Sequence, residues 1–305
     1  MMMFDSDELT LVRSSLRHAI VAHSPADTIR ALLTEGWNDL VGADPAAAIS
    51  VLAEEAGATR SAAPAVDLAV LWGAGIAADA STAVVHDGIV LGGGSRAARY
   101  VWLAGDSVRE APADAVALSA AAGFDPALGA ERATIVGTGA AIAGSEASVG
   151  GLAAGRRALA SQMVGASEQM LAETVAYVVE RRQYGRQIGS FQTVKHRLAD
   201  VKVAVAAARA TVAAAWEHQD SPEATTLAIA AKCLAGRAQT VASTQCFQVH
   251  GGIAFTVEHG FQQWVRRGLL LDALLGGHEP LTRELGRRLI GAGTVPRVPD
   301  FHERA

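Results

Sequence analysis

Two short runs carry the side chains that could do chemistry. The first is Glu180-Arg181-Arg182-Gln183-Tyr184-Gly185-Arg186-Gln187-Ile188, closed by Phe191-Gln192; the second is Gln248-Val249-His250-Gly251-Gly252-Ile253-Ala254-Phe255-Thr256. Arg181 offers a planar guanidinium, which can hold an oxyanion through two parallel N–H bonds. Gly251 and Gly252 let the backbone approach a ligand more closely than any residue bearing a Cβ. Each run also has a plainer reading. Arg181-Arg182 at a helix end would complement the helix dipole, and Gly251-Gly252 would serve as a C-cap. Neither accounts for both runs occurring together. His250 alone reads as a structural hydrogen-bonding residue. Gly92-Gly93-Gly94 lacks the Gly-x-x-x-x-Gly-Lys pattern of a phosphate loop and is expected to form a hairpin turn. Cys233 and Cys246 are expected to be reduced and to serve packing, with too few ligands for a metal.

The elements that must position these runs are helices. Leu159, Met163, Ala166 and Met170 recur at steps of four and three, the spacing of one helix face, and Val194, Leu198, Val201, Val205, Ala208 and Val212 do the same. Leu227, Leu234 and Val241 repeat every seven residues with Gln248 on the same seam, and Ser221-Pro222-Glu223 suggests the start of that helix. A fourth helix is expected after residue 258, completing an antiparallel four-helix bundle. From residue 4 to about 75 the pattern is of short helices. Short β-branched runs then follow at Ala83-Val85, Gly88-Leu91, Tyr100-Leu103, Ala115-Leu118 and Ala133-Val136, enough for a modest sheet. The expected fold is mainly α with a small β domain, divided as 1–76 (helical), 77–148 (reduced β) and 149–305 (bundle).

Composition excludes several classes of partner. The 305 residues are half apolar and only 5% aromatic, so the core must be built from Ala, Val and Leu. A net charge of -5 gives no basic surface for nucleic acid. Lys and Arg interrupt every apolar run before it reaches membrane-spanning length, so no membrane is expected. Asp5, Asp7 and Glu8 are wrong for a signal peptide, which points to the cytoplasm.

Helices, a small β region and a four-helix bundle is also the order of the acyl-CoA dehydrogenases, and the two runs carry that resemblance. Glu180-Arg181-x-x-Tyr184-Gly185 with Phe191-Gln192 resembles the family's Arg-x-x-Phe-Gly…Gln element, and Gln248-x-x-Gly251-Gly252 resembles its Gln-x-x-Gly-Gly element. The resemblance implies FAD, whose pyrophosphate needs cationic and backbone N–H donors. It also implies that these elements reach across a subunit interface to a neighbour's FAD. Arg181 and Tyr184 would then face the pyrophosphate and adenosine, and Ile188, Phe191 and Gln192 the adenine. Gln248, Gly251 and Gly252 would close over the pyrophosphate. Phe191 stands where a polar residue is often found.

The family's proton-abstracting carboxylate has no counterpart. Leu275, in Ala273-Leu274-Leu275-Gly276-Gly277, occupies its usual position, and Gly155 beside Arg156 occupies the second known location. No catalytic residue is therefore assigned. The Thr-Glu-Pro…Gly-Ser-Asp and Trp-x-Thr/Ser segments that surround the family's flavin ring are also missing, with Leu103 and Ala104 following Trp102. The chain thus resembles the smaller, degenerate subunit of actinobacterial α2β2 acyl-CoA dehydrogenases acting on steroid side-chain CoA thioesters. Gly252-Ile253-Ala254-Phe255-Thr256-Val257-Glu258-His259 and Trp264-Val265-Arg266-Arg267 match its tail. That implies an acyl-CoA substrate and a second dehydrogenase subunit sharing the FAD. Two alternatives stay open: a homodimeric flavoenzyme with a relocated base at Asp272, Glu258 or Glu279, and a scaffold that binds no flavin.

Overall fold

The computed structural model describes residues 6–92, 94–121, 125–293 and 295. Residues 4 and 5, Asp5 of the acidic start among them, and Gly93 of the glycine triplet lie outside it. Helices α1 (Ser6–Ala22), α2 (Pro25–Thr34), α3 (Trp37–Ala43), α4 (Pro45–Ala58) and α5 (Ala65–Gly73) come first. The starts of α2 and α4 follow from local chemistry. Ser24 and Asp44 accept from the backbone N–H groups of Asp27 and Ala47, and a proline follows each cap. Helix α4 is buried on every side, from Ala47 to Gly57. Its two carboxylates are therefore paired: Glu55 with Arg13 and Arg17 at 2.6 and 2.5 Å, and Glu54 with Arg13 and Arg209 at 2.8 and 3.2 Å.

The sheet is larger than the sequence suggested. Seven strands, β1 (Thr82–His86), β2 (Ile89–Val90), β3 (Arg99–Ala104), β4 (Ser107–Pro112), β5 (Val116–Ala120), β6 (Glu131–Ile135) and β7 (Ala140–Ala143), lie in the order β5-β6-β2-β1-β3-β4-β7. Strands β4 and β7 escaped notice because Ser107–Pro112 is half polar and Ala140–Ala143 has little β-branching. The hairpin turn expected at the glycine triplet includes Gly93 and so lies outside the described residues. A described hairpin at Asp87-Gly88 joins β1 to β2, while β3 runs parallel to β1 on its other side.

The bundle comprises α6 (Ser145–Glu180), α7 (Gln192–Glu217), α8 (Ala224–His250), α9 (Gln262–Ala273) and α10 (His278–Ala292). The expected fourth helix is thus two, broken at Leu274–Gly277. Helix α8 starts three residues after Ser221, whose hydroxyl instead donates to the carbonyl of His218 in the preceding turn. Gln248 leaves the seam of Leu227 and becomes exposed, because a seven-residue repeat drifts about 20° per heptad on a straight helix. Helix α6 is crossed at backbone contact by α4. A Cβ on Gly57 would lie 2.0 Å from the Gln162 carbonyl oxygen, and one on Gly165 2.2 Å from that of Glu54. One core runs through the helices and the inner face of the sheet, where Val84, Val101 and Val108 meet α5 and α6. No helix among the described residues is long and apolar enough to cross a membrane.

Candidate functional site

Helix α6 ends where Arg181 donates its N–H to the Tyr177 carbonyl at 2.8 Å. The chain then makes a two-stranded hairpin, β8 (Arg182–Gln183) and β9 (Arg186–Gln187), around Tyr184-Gly185. Both turn residues have positive φ, +51° and +76°, the requirement of a two-residue type I′ turn. Ile188 N–H closes the hairpin on the Arg181 carbonyl at 2.9 Å. Phe191 sits edge-on to Tyr184, with the Arg186 guanidinium 4.1 Å from its ring centre, so the hairpin packs on the residue before α7. Arg181, Gln192 and Gln248 are exposed, and Tyr184 is 91% exposed.

Helix α8 ends one residue before Gly251, whose φ of +70° lets the chain turn away into a short 3-10 stretch, Gly251–Phe255. The two runs meet through His250. Its ring stacks on Tyr177 at 4.4 Å and lies 4.3 Å from Phe261 and 4.8 Å from His259. Thr174 spends its hydroxyl hydrogen on the Met170 carbonyl at 2.7 Å, so His250 Nε2 carries a hydrogen and donates to Thr174 Oγ1 at 3.1 Å. His250 Nδ1, packed among aromatic rings, has no hydrogen-bond partner among the described residues. Burial, with His259 nearby, pushes the imidazole down to about 4. Arg197 of α7 donates to Gln245 of α8 at 2.5 Å, tying the start of α7 to the same end of the bundle.

The structure therefore gathers Arg181, Tyr184, Ile188, Phe191, Gln192, Gln248, Gly251 and Gly252 at one end of the bundle, although they come from three helix termini. Tyr177 and Thr174, which orient His250, were missed. They sit four and seven residues before Arg181 and could have been found as its neighbours on the helix face. The same end exposes the apolar side chains of Ile253 (46%), Phe255 (72%) and Val257 (76%).

The two positions that lack a carboxylate lie against each other. A Cβ on Gly155 would stand 2.7 Å from Leu275 Cδ1 and 2.7 Å from Val70 Cγ2, so the leucine fills the space above the glycine. Leu275 is buried and holds a left-handed backbone at φ +54°, a conformation costing a non-glycine residue about 1–2 kcal/mol. Its N–H donates to Asp87 at 3.0 Å and its carbonyl accepts from Arg156 at 3.0 Å, which holds it there. Asp272 is committed elsewhere, to the ring and N–H of His278 at 2.8 and 3.1 Å, with the buried Lys232 ammonium 3.6 Å away. Glu279 faces solvent opposite Arg283, and Glu258 is also exposed.

Residues 143–290 match the model of the family described as acyl-CoA dehydrogenase, C-terminal domain. Over 122 residues the chain is 46% identical to acyl-CoA dehydrogenase IpdE2 of Mycobacterium tuberculosis, covering 40% of this chain and 37% of that protein. Over 128 residues it is 33% identical to the probable acyl-CoA dehydrogenase YngJ of Bacillus subtilis, covering 42% and 34%. The matched stretch thus spans little more than a third of these relatives. Among solved structures, the ChsE4-ChsE5 complex from Mycobacterium tuberculosis superposes with a TM-score of 0.76 at 19% identity, over 97% of this chain and 100% of that one. A Tcur3481-Tcur3483 steroid ACAD variant gives 0.73 at 22% identity, over 94% and 99%.

Proposed function

We propose, from the premise that this chain belongs to the acyl-CoA dehydrogenases through residues 143–290 and has their fold throughout, that it is the non-catalytic subunit of a heteromeric enzyme. The pair desaturates an acyl-CoA at its α,β-bond. One observation carries the reading. Leu275 stands directly over Gly155, so both places where a base would take the α-proton are filled by one leucine side chain. Leucine cannot accept a proton.

The donor set at the far end of the bundle fits the nucleotide end of FAD. The Arg181 guanidinium, the Gln192 and Gln248 amides and the Gly251-Gly252 backbone would hold a pyrophosphate and its adenosine. FAD supplies the hydride acceptor of the reaction. These groups point outward from this chain, and the apolar side chains of Phe255 and Val257 beside them support an arrangement in which the cofactor is shared with a partner subunit. The sheet side argues the same way. Strands β3 and β4 rest on the first half of α6, with Leu103 against Gly151 and Ser148 donating to the Gly105 carbonyl at 2.9 Å. That stretch of α6 is thus covered by the chain's own sheet. Relocation of the base to Asp272 is disfavoured by its bonds to His278.

The two structural neighbours are a complex and a steroid-directed enzyme by their descriptions. They support a second dehydrogenase subunit as partner and a steroid as the substrate class; the α2β2 assembly and the side-chain CoA thioester are carried by the resemblance of the sequence motifs alone. The test is activity. The purified chain alone should not reduce an electron acceptor with any acyl-CoA. Mixed with its partner subunit it should do so, and with higher kcat/KM on a steroid CoA thioester than on butyryl-CoA. Turnover by the isolated chain would overturn the proposal.

A further inference from the structure

Helix α7 carries a second apolar row, on the side that faces away from the core. Its buried side is Val201, Val205, Ala208 and Val212. Opposite these, Ala199, Val203, Ala206, Ala210 and Ala213 recur at steps of four and three and are all exposed, Val203 to 70%. Apolar residues scattered singly over a surface need no explanation, but a row repeating at helical spacing over about 21 Å is the pattern of a packed helix face. Arg209, at the edge of the row, donates to Glu168 of α6 at 2.7 Å. Val175 and Val179, seven and eleven residues beyond Glu168 on that side of α6, are 44% and 56% exposed and widen the face.

The row is symmetric about Ala206. Ala199 and Ala213 lie seven residues before and after it, and the exposed Lys195 and Glu217 lie eleven before and after. Eleven residues are about three helical turns, so both charges stay on the face of Ala206. We propose that two copies of this chain pair through α7, antiparallel about a twofold axis at Ala206. Lys195 of each copy then lies opposite Glu217 of the other, and Ala199 opposite Ala213. Lys202 and Arg209 fall opposite Ala210 and Val203, so no like charges meet. A parallel pair would set Lys195 against Lys195. Self-complementarity of this kind is what an isologous contact requires. Alanine at every position of the row but one lets the two helix axes approach to about 8 Å, the close end of the usual range. The pairing does not rest on the flavin reading, since neither donor run contributes a residue to the row.

Cys233 and Cys246 are buried, so neither supplies a competing surface thiol. Ala206→Cys, oxidised with copper phenanthroline as the full-length chain and again in complex with the second dehydrogenase subunit, should give a disulfide-linked dimer of this chain on a non-reducing gel. Ala199→Cys and Ala213→Cys should each stay unlinked alone and cross-link when co-expressed. Ala206→Glu sets two carboxylates on the axis and should raise the dissociation constant of the pair at least about tenfold in sedimentation, with an unchanged circular dichroism spectrum. Four results would each overturn the proposal: no Ala206→Cys dimer in either preparation, linking of Ala199→Cys to itself, linking of Ala206→Cys to the other subunit instead, or unchanged sedimentation of Ala206→Glu.

Discussion

The junction that brings the two donor runs together should be acid-labile through a single imidazole. His250 is held neutral because a proton on Nδ1 would have no acceptor among the rings of Tyr177, His259 and Phe261. Its folded value is about 4 against an ordinary 6.5. Above pH 6.5 the ring is neutral in both folded and unfolded chains and contributes no pH dependence. Between 6.5 and 4 the unfolded chain takes up a proton that the native state refuses, so stability falls as pH falls. At ~1.36 kcal/mol per pKa unit the ceiling is about 3.4 kcal/mol. Partial solvation of the ring brings the expected loss nearer ~2 kcal/mol. Urea unfolding followed by far-UV circular dichroism at pH 7.0 and 4.5 measures it. The wild-type chain should lose about 2 kcal/mol more between those pH values than His250→Leu does. Every other ionisable group is common to the two proteins, so its contribution cancels in the difference. Equal losses in the two proteins would refute the reasoning, because they would mean the native junction accepts the proton.

Arg181→Ala should weaken FAD retention by the assembled enzyme roughly 10–100-fold, the worth of a charge-assisted pair, while size-exclusion chromatography shows intact assembly. Gly155→Ala should cost about 1–3 kcal/mol by overpacking against Leu275 and Val70. Chemical denaturation of Gly155→Ala, Leu275→Ala and the double variant should show coupling of about 1 kcal/mol or more between the two sites. Lys232 is pushed by burial down to about 8 from an ordinary 10.5. From pH 8 upward the native state releases this proton before the unfolded chain does, so stability should rise between pH 8 and 9. Above that, Cys246, raised by burial to about 11, acts in the opposite sense. Lys232→Met should abolish the rise in a denaturation series.

The helices of the bundle were legible because their buried faces recur at helical spacing. Leu159, Met163, Ala166 and Met170 are essentially fully buried, as are Val201, Val205 and Ala208. The sheet was less so, since Ser107–Pro112 pairs with β3 along its whole length without alternating polarity. Pairing partners come from elsewhere in the chain, which local pattern does not encode. The start of α8 was misplaced because Ser221-Pro222 has the chemistry of a cap but is used in a turn stabilised by His218. Both donor runs were visible as residue types. What no spacing could reveal is that Tyr177 and His250, 73 positions apart, stack to bring them together. The contact of Leu275 with Gly155 was equally hidden. The sequence showed two missing carboxylates, and only the fold makes them one filled space.

Flavin stoichiometry tests the account most directly. Absorbance at 450 nm against polypeptide concentration should give no FAD on the isolated chain and one FAD per heterodimeric pair when it is co-purified with its partner subunit. One FAD retained on each copy of this chain purified alone would contradict it.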